Sequence, residues 1–395
     1  MTLPLLLATL LVLALAGFFA GRARAVATAG GDARKLHSVP AYHGWFAALA
    51  GLVPAGMALL AWRAVAPGQG TWQGFAVLAV AIVGMILAIS ATRGETRARN
   101  RVEGIVKAGL ILCSVIAIAT TAGIVLSMLF ETGQFFSQYS FTRFYFGTVW
   151  QPNFRGDSEL GILPLLWGTL YISLIALAVA VPVGLFAAVY MSEYASRRFR
   201  GFAKPAIEVL AGIPTIVYGL FALITVGPAL RDYFAQPLGL GESASSVMTA
   251  GLVMGIMIIP FVSSLSDDII NAVPQSLRDG SLGLGATQSE TIRQVVLPAA
   301  LPGIVGAVLL AASRAIGETM IVVLGAGAAA KLSLNPFEAM TTITVKIVSQ
   351  LTGDTDFAAP ETLVAFALGL TLFVVTLGLN ILALIVVRKY REEYE

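Results

Sequence analysis

An arginine and a glutamate four residues apart, Arg314 and Glu318, interrupt an apolar stretch that begins at Ala300. Residues at that spacing share one face of an α-helix, so a guanidinium and a carboxylate can pair along it. At ~1.5 Å per residue Arg314 lies ~20 Å into the stretch, close to the middle of ~30 Å of hydrocarbon. A charge placed there costs roughly 2.5–3.5 kcal/mol on insertion scales, so it must serve some purpose. Two purposes fit. The pair fastens helices together, or Arg314 receives an anion whose oxygens match its two-pronged fork while Glu318 holds the fork in place. Gly303, Ala307, Ala311 and Ala315 recur every four residues on this helix and form a small-residue ridge for close helix packing.

Other chemistries lack their residues. No lysine follows a glycine, so there is no phosphate-cradling GxxxxGK[ST] loop and no ATP hydrolysis by that route. His37 and His43 have no cysteine or carboxylate cluster around them, so they read as part of a solvated loop and not as a metal site. HExxH and GxSxG are both missing, and the chain reads as something other than an enzyme. The single cysteine, Cys113, sits in an apolar run and cannot form an internal disulfide.

The elements that must position Arg314 are membrane helices. Of the 395 residues 57% are hydrophobic and 12% charged, where ordinary globular domains carry roughly a quarter charged. Apolar runs lie near 2–20, 44–62, 72–91, 105–130, 162–190, 205–227, 247–265, 300–327 and 361–387. They stay apolar for ~20 residues instead of alternating, which fits helices and excludes a β-barrel. The first run has no basic residue before it, unlike a signal peptide, and reads as a helix with its N-terminus outside. Alternate loops carry 18 and six Lys or Arg, with Arg314 completing the 25. The richer set is cytoplasmic, which puts the C-terminus inside. A net charge of +3 spread over such loops gives no reason to expect nucleic acid.

Outside the spans, residues 131–161 carry Phe135, Phe136, Tyr139, Phe141, Phe144, Tyr145, Phe146 and Trp150. They read as an interfacial aromatic belt or as a docking surface for an extracytoplasmic partner. Within 328–360, MTTITVKIVSQL is too short and polar to span and predicts a helix lying at the outer surface. Asp267 and Asp268 end one span and read as interfacial. The charged stretch RGETRARNRVEG at 93–104 separates three N-terminal spans from a six-span remainder, giving domains 1–104 and 105–395.

The polar loop before Ala300 is built to dock. Pro274 opens a short helix, QSLRDGSLGL, which Gly285 can end in a left-handed turn. Thr287 with Glu290 three residues on is a capping box that starts a second helix. Ile292, Val295 and Val296 give that helix an apolar face, and Pro298 and Pro302 redirect the chain into the membrane. A polar helix–turn–helix leading straight into a span with a central charge pair is a coupling device.

Its pattern D-G-S-x-x-x-G-(x)9-V-x-L-P, Asp279 to Pro298, resembles the EAA loop of ABC importer permeases. Asp279, Gly280 and Ser281 stand where the motif name has Glu-Ala-Ala, and Gly285, Leu297 and Pro298 match outright. The run from MIIPFVSSLSDD through SRAIGETM, with GILPLLWGTLYISLIALAVAVPVGLFAAVYMSEYA and EVLAGIPTIVYG upstream, is similar to the PstC-type permeases of phosphate-specific importers. The likeness covers about residues 105–390.

The resemblance implies an all-α, six-span permease core in the bacterial inner membrane, preceded by three extra helices, nine spans in all. It implies an ATPase-coupling loop at 274–298 using Arg278, Asp279, Gly280, Ser281, Gly285, Thr287, Glu290, Leu297 and Pro298. Arg314, Glu318 and Thr319 become candidate pathway or gate residues. The implied partners are a second permease of PstA type, two ATPase copies that hold the ATP-Mg, and a periplasmic phosphate-binding protein; this chain itself binds no cofactor. An importer of another oxyanion, phosphonate or sulfate, is the alternative within transport. A motor-independent secondary transporter is the alternative beyond it, and such a protein has no reason to keep the loop.

Overall fold

The computed structural model describes residues 2–65, 71–93, 95–153, 157–353 and 359–391. Among them, nine helices are long and apolar enough to cross a membrane. Two compact units divide the chain at Gly123 and Ile124. That point lies inside one continuous helix, downstream of the charged stretch at 93–104 expected to separate the domains.

In the first unit, α1 (Leu3–Thr28), α2 (Pro40–Val65) and α3 (Thr71–Ser90) pack against one another. Leu6, Leu10, Ala55, Val77 and Ala81 form their shared core. The start of α4 (Ala98–Gln138) adds a guanidinium, Arg101, 5.2 Å from the Phe46 ring centre. His43 departs from the sequence reading. It lies inside α2, fully buried, with neither ring nitrogen hydrogen-bonded, and so is no part of a solvated loop. His37 sits beside Ser38 Oγ at 3.3 Å.

The second unit holds α5 (Phe141–Phe146), α6 (Leu163–Val189) and α7 (Arg197–Ala211). Then come α8 (Thr215–Phe221), α9 (Gly227–Leu230), α10 (Val247–Ala272) and α11 (Gln275–Gly283). After these follow α12 (Gln288–Thr291), α13 (Leu297–Ile316), α14 (Met320–Gly325), α15 (Ile343–Gly353) and α16 (Pro360–Arg391). The core lies where α6, α10, α13 and α14 meet, around Ile172, Met254, Ile258, Ala311 and Ile321. Gly168 on α6 allows the closest approach: a Cβ there would sit 2.1 Å from the Thr341 carbonyl oxygen.

Three expectations change. The span placed at 205–227 runs instead over Thr215–Ala235. Residues Arg197–Ala211 form a separate amphipathic helix, broken from the span at Gly212 and by the missing donor of Pro214. The span placed at 300–327 stops at Ile316. Most of the aromatic segment is neither belt nor open docking surface, because Phe135, Phe144 and Trp150 are buried with Leu160 and Leu363 in their own core. A two-stranded antiparallel ribbon, β1 (Trp150–Gln151) with β2 (Glu159–Leu160), closes over it. Phe141 and Phe146 remain exposed. Arg155, one of the loop cations, lies outside the described residues. The short helix expected near 340–351 is present as α15, although its lead-in Met340–Thr342 is buried.

Candidate functional site

The loop at 274–298 folds as a helical hairpin. Pro274 caps α11, and Gly285 takes φ +90°, a left-handed conformation that glycine alone adopts without strain. Thr287 then starts α12 with the expected capping box: its hydroxyl accepts from the Glu290 N–H, and Glu290 Oε2 accepts from the Thr287 N–H at 2.8 Å. Pro298, expected to redirect the chain into the membrane, sits at the start of α13 without ending the helix. The helix runs on from Gln288 to Ile316, because a π-helical turn over Ile292–Val296 passes the Leu297 N–H to the Ile292 carbonyl. The wider turn absorbs the donor that proline lacks. Ile292 and Val296 are buried, and Leu297 packs with them against α6 and α10.

The hairpin has an inner and an outer side. Arg278 faces inward. It donates to Glu193 Oε1 at 2.9 Å, to the Val273 carbonyl at 2.8 Å and to the Ile270 carbonyl at 2.7 Å. Ser281 Oγ and Thr291 Oγ1 meet at 3.0 Å and tie one arm to the other. Asp279 is exposed and accepts from Gln275 Nε2 at 3.0 Å. Gly280 and Gly285 are exposed at the apex beside Leu277 and Leu282, and Leu284 there is 93% exposed.

Sequence reasoning missed the charge cluster behind the hairpin. Asp267 is fully buried within the chain; it accepts from Arg200 at 2.9 Å and from Lys204 at 2.9 Å, while Asp268 takes Lys204 at 3.1 Å. These bonds, first to Asp267 and then to Asp268, hold the Lys204 ammonium above the ordinary lysine value. Asn271 bridges the cluster to Arg200 and to Ser192, next to Glu193. The basic amphipathic run at 197–204 and the acidic pair at 267–268 are each visible in the sequence, but nothing in it says that they meet.

In the membrane the expected ion pair is absent. The α13 helix ends at Gly317, so Glu318 no longer sits one turn above Arg314. Glu318 Oε1 instead accepts from the N–H groups of Met320 at 3.0 Å and Ile321 at 3.4 Å, capping α14. The Glu318 carbonyl accepts from Thr344 Oγ1 at 2.8 Å, which ties the break to the first turn of α15. Thr319 is the half-buried residue between the two helices. A glycine followed by an acidic and a β-branched residue favours this break, since the carboxylate competes for the backbone donors of the next turn.

Arg314 is thereby left on the exposed face of α13, with its guanidinium 5.8 Å from the Phe261 ring centre. No carboxylate among the described residues pairs with it. Along the same helix the small-residue ridge packs inward: Ala307, Ala311 and Ala315 are buried, and Gly303 meets Ile269 of α10.

Known proteins share these features. A family described as binding-protein-dependent transport system inner membrane component matches residues 180–392. A family described as phosphate ATP-binding cassette transporter matches residues 7–72, within the N-terminal helices. The chain is 32% identical over 282 residues to the phosphate transport system permease protein PstC of Mesorhizobium japonicum, across 67% of this chain and 83% of that one. It is 35% identical over 278 residues to PstC 1 of Mycobacterium tuberculosis, across 62% of this chain and 81% of the relative. A crystal structure of a bacterial alginate ABC transporter shares the fold at TM-score 0.51 and 16% identity, across 75% of this chain and 99% of that one. The exposed hairpin, the long helix it feeds and these relatives agree: the chain belongs to the PstC family of binding-protein-dependent permeases, and is a multi-pass inner-membrane permease subunit of an ABC phosphate importer and not an enzyme.

Proposed function

We propose that Arg314 receives phosphate as it crosses beside α13, and that the hairpin at 274–298 drives the crossing by docking on an ATPase. The observation that carries the first half is the exposure of Arg314 without a carboxylate partner. A charged side chain at membrane depth does not face lipid; it faces a water-filled cavity or another protein surface. A guanidinium there offers an oxyanion two parallel hydrogen bonds. Glu318 and Thr319 act beside it by fixing the break in the helix, the kind of discontinuity tolerated only where backbone lines a cavity or is buried in protein.

Asp279, Gly280, Ser281, Gly285, Thr287, Glu290, Leu297 and Pro298 shape the dock, with Leu284 as its most exposed apolar contact. Arg278 belongs to it indirectly, since it holds the hairpin from within. The remaining components are a PstA-type second permease facing Arg314, two ATPase copies that bind ATP-Mg, and a periplasmic phosphate-binding protein. The asymmetry of basic loops supports an N-terminus outside and a C-terminus in the cytoplasm.

One labelling series tests both dock and orientation. Cys113→Ala removes the native thiol, and single cysteines go in at Thr2, Ser137 and Leu284. In sealed cells an impermeant thiol reagent should label the first two and spare the third. In inverted vesicles it should label position 284, and bound ATPase should protect it. Labelling of 284 from outside, or labelling unaffected by ATPase, contradicts the reading.

A further inference from the structure

Both arms of the hairpin converge on one residue that lies outside it. Glu193 sits in the π-helical turn Tyr190–Tyr194 that ends α6. Its carboxylate takes Arg278 from the first arm at 2.9 Å, and its carbonyl takes Gln288 Nε2 from the second arm at 2.7 Å. The carbonyl is available because the last carbonyls of a helix have no partner within it. The side chains of Glu193 and Arg278 are 12% and 13% exposed, so water screens their attraction only weakly. Arg278 also grips the last carbonyls of α10. From this point α6 runs back along α10 to Gly168, which is pressed against the Thr341 carbonyl at the opposite end.

We infer that Glu193 is a positioning residue for energy coupling: it joins the hairpin to α6, so that movement imposed on the dock turns α6 together with α10. Without this joint the hairpin keeps only apolar packing against α6, through Val296 and Leu297, and α6 follows its movement less faithfully. The inference rests on the hairpin being the ATPase dock; that reading fails separately, by absence of the ATPase from purified parental complex.

The test uses the full chain with its partner permease, ATPase and binding protein in proteoliposomes. Phosphate uptake per ATP hydrolysed is measured beside the amount of assembled complex. Glu193→Gln keeps size and removes charge, and should lower uptake per ATP about tenfold, within the ~5–150-fold span usual for coupling between sites. Glu193→Asp, which restores the charge on a shorter side chain, should recover part of that loss. A parental ratio of uptake to ATP in assembled Glu193→Gln overturns the inference. Should Glu193→Gln not assemble, Gln288→Ala, which cuts only the tie to the carbonyl, is judged by the same ratio.

Discussion

Arg314→Leu should assemble like the parent, hold its ATPase and take up phosphate about 100-fold more slowly, the order of loss when one preorganised anion donor is removed. Assembly survives because the guanidinium gives up only its contact with the Phe261 ring, worth about 0.5–1 kcal/mol at an exposed site. In a buried ion pair a single deletion would be uninterpretable, since the orphaned partner destabilises the protein whatever the pair does. Here Glu318 is occupied with the backbone of Met320 and Ile321, so nothing is orphaned. Arg314→Lys should keep only part of the activity, because an ammonium supplies charge without the planar fork. Uptake normalised to assembled complex is the measurement. Parental uptake by Arg314→Leu means the anion passes elsewhere.

Gly285→Val should insert normally and lose ATPase from the purified complex. The residue holds φ +90°, and a β-branched side chain in that conformation is strained by about 1–3 kcal/mol. No heavy atom lies within 4 Å of the position a Cβ would take, so the defect is conformational and not a clash. The strain is relieved by re-aiming the apex, which moves Leu282 and Leu284 away from the groove they must enter. Gly285→Asn should be milder, since asparagine tolerates left-handed backbone better than other side chains do. The ratio of ATPase to permease after purification decides this: equal ratios for valine and parent would remove the dock from the hairpin.

What was legible in the sequence followed from local rules. Runs of ~20 apolar residues, the capping box at Thr287 and Glu290, and the left-handed turn at Gly285 each depend on residues near one another in the chain. Misreadings came where local signals competed or where partners lay far apart. Ile213 and Pro214 sit inside a hydrophobic stretch, so hydropathy ran one span across a break that backbone geometry imposes. Gly317 through Thr319 ended another span early, because a carboxylate capping the next turn outweighed continuity of the helix. The Glu193–Arg278 joint spans 85 residues, and Arg200–Asp267 spans 67. Pairs this distant leave no periodic trace in a single chain. The aromatic run that begins at the end of α4 was ambiguous for a related reason: composition suits an interface, and only the fold of β1 and β2 over it made a core.

We propose that this chain carries phosphate when an ATPase works on its hairpin. Proteoliposomes holding the chain with its partner permease and ATPase, supplied with binding protein outside and ATP inside, measure it directly. Radiolabelled phosphate should accumulate against its gradient only when ATP and binding protein are both present, with excess sulfate or phosphonate competing poorly. Accumulation that persists without ATP, or that favours sulfate or phosphonate over phosphate, would contradict the account.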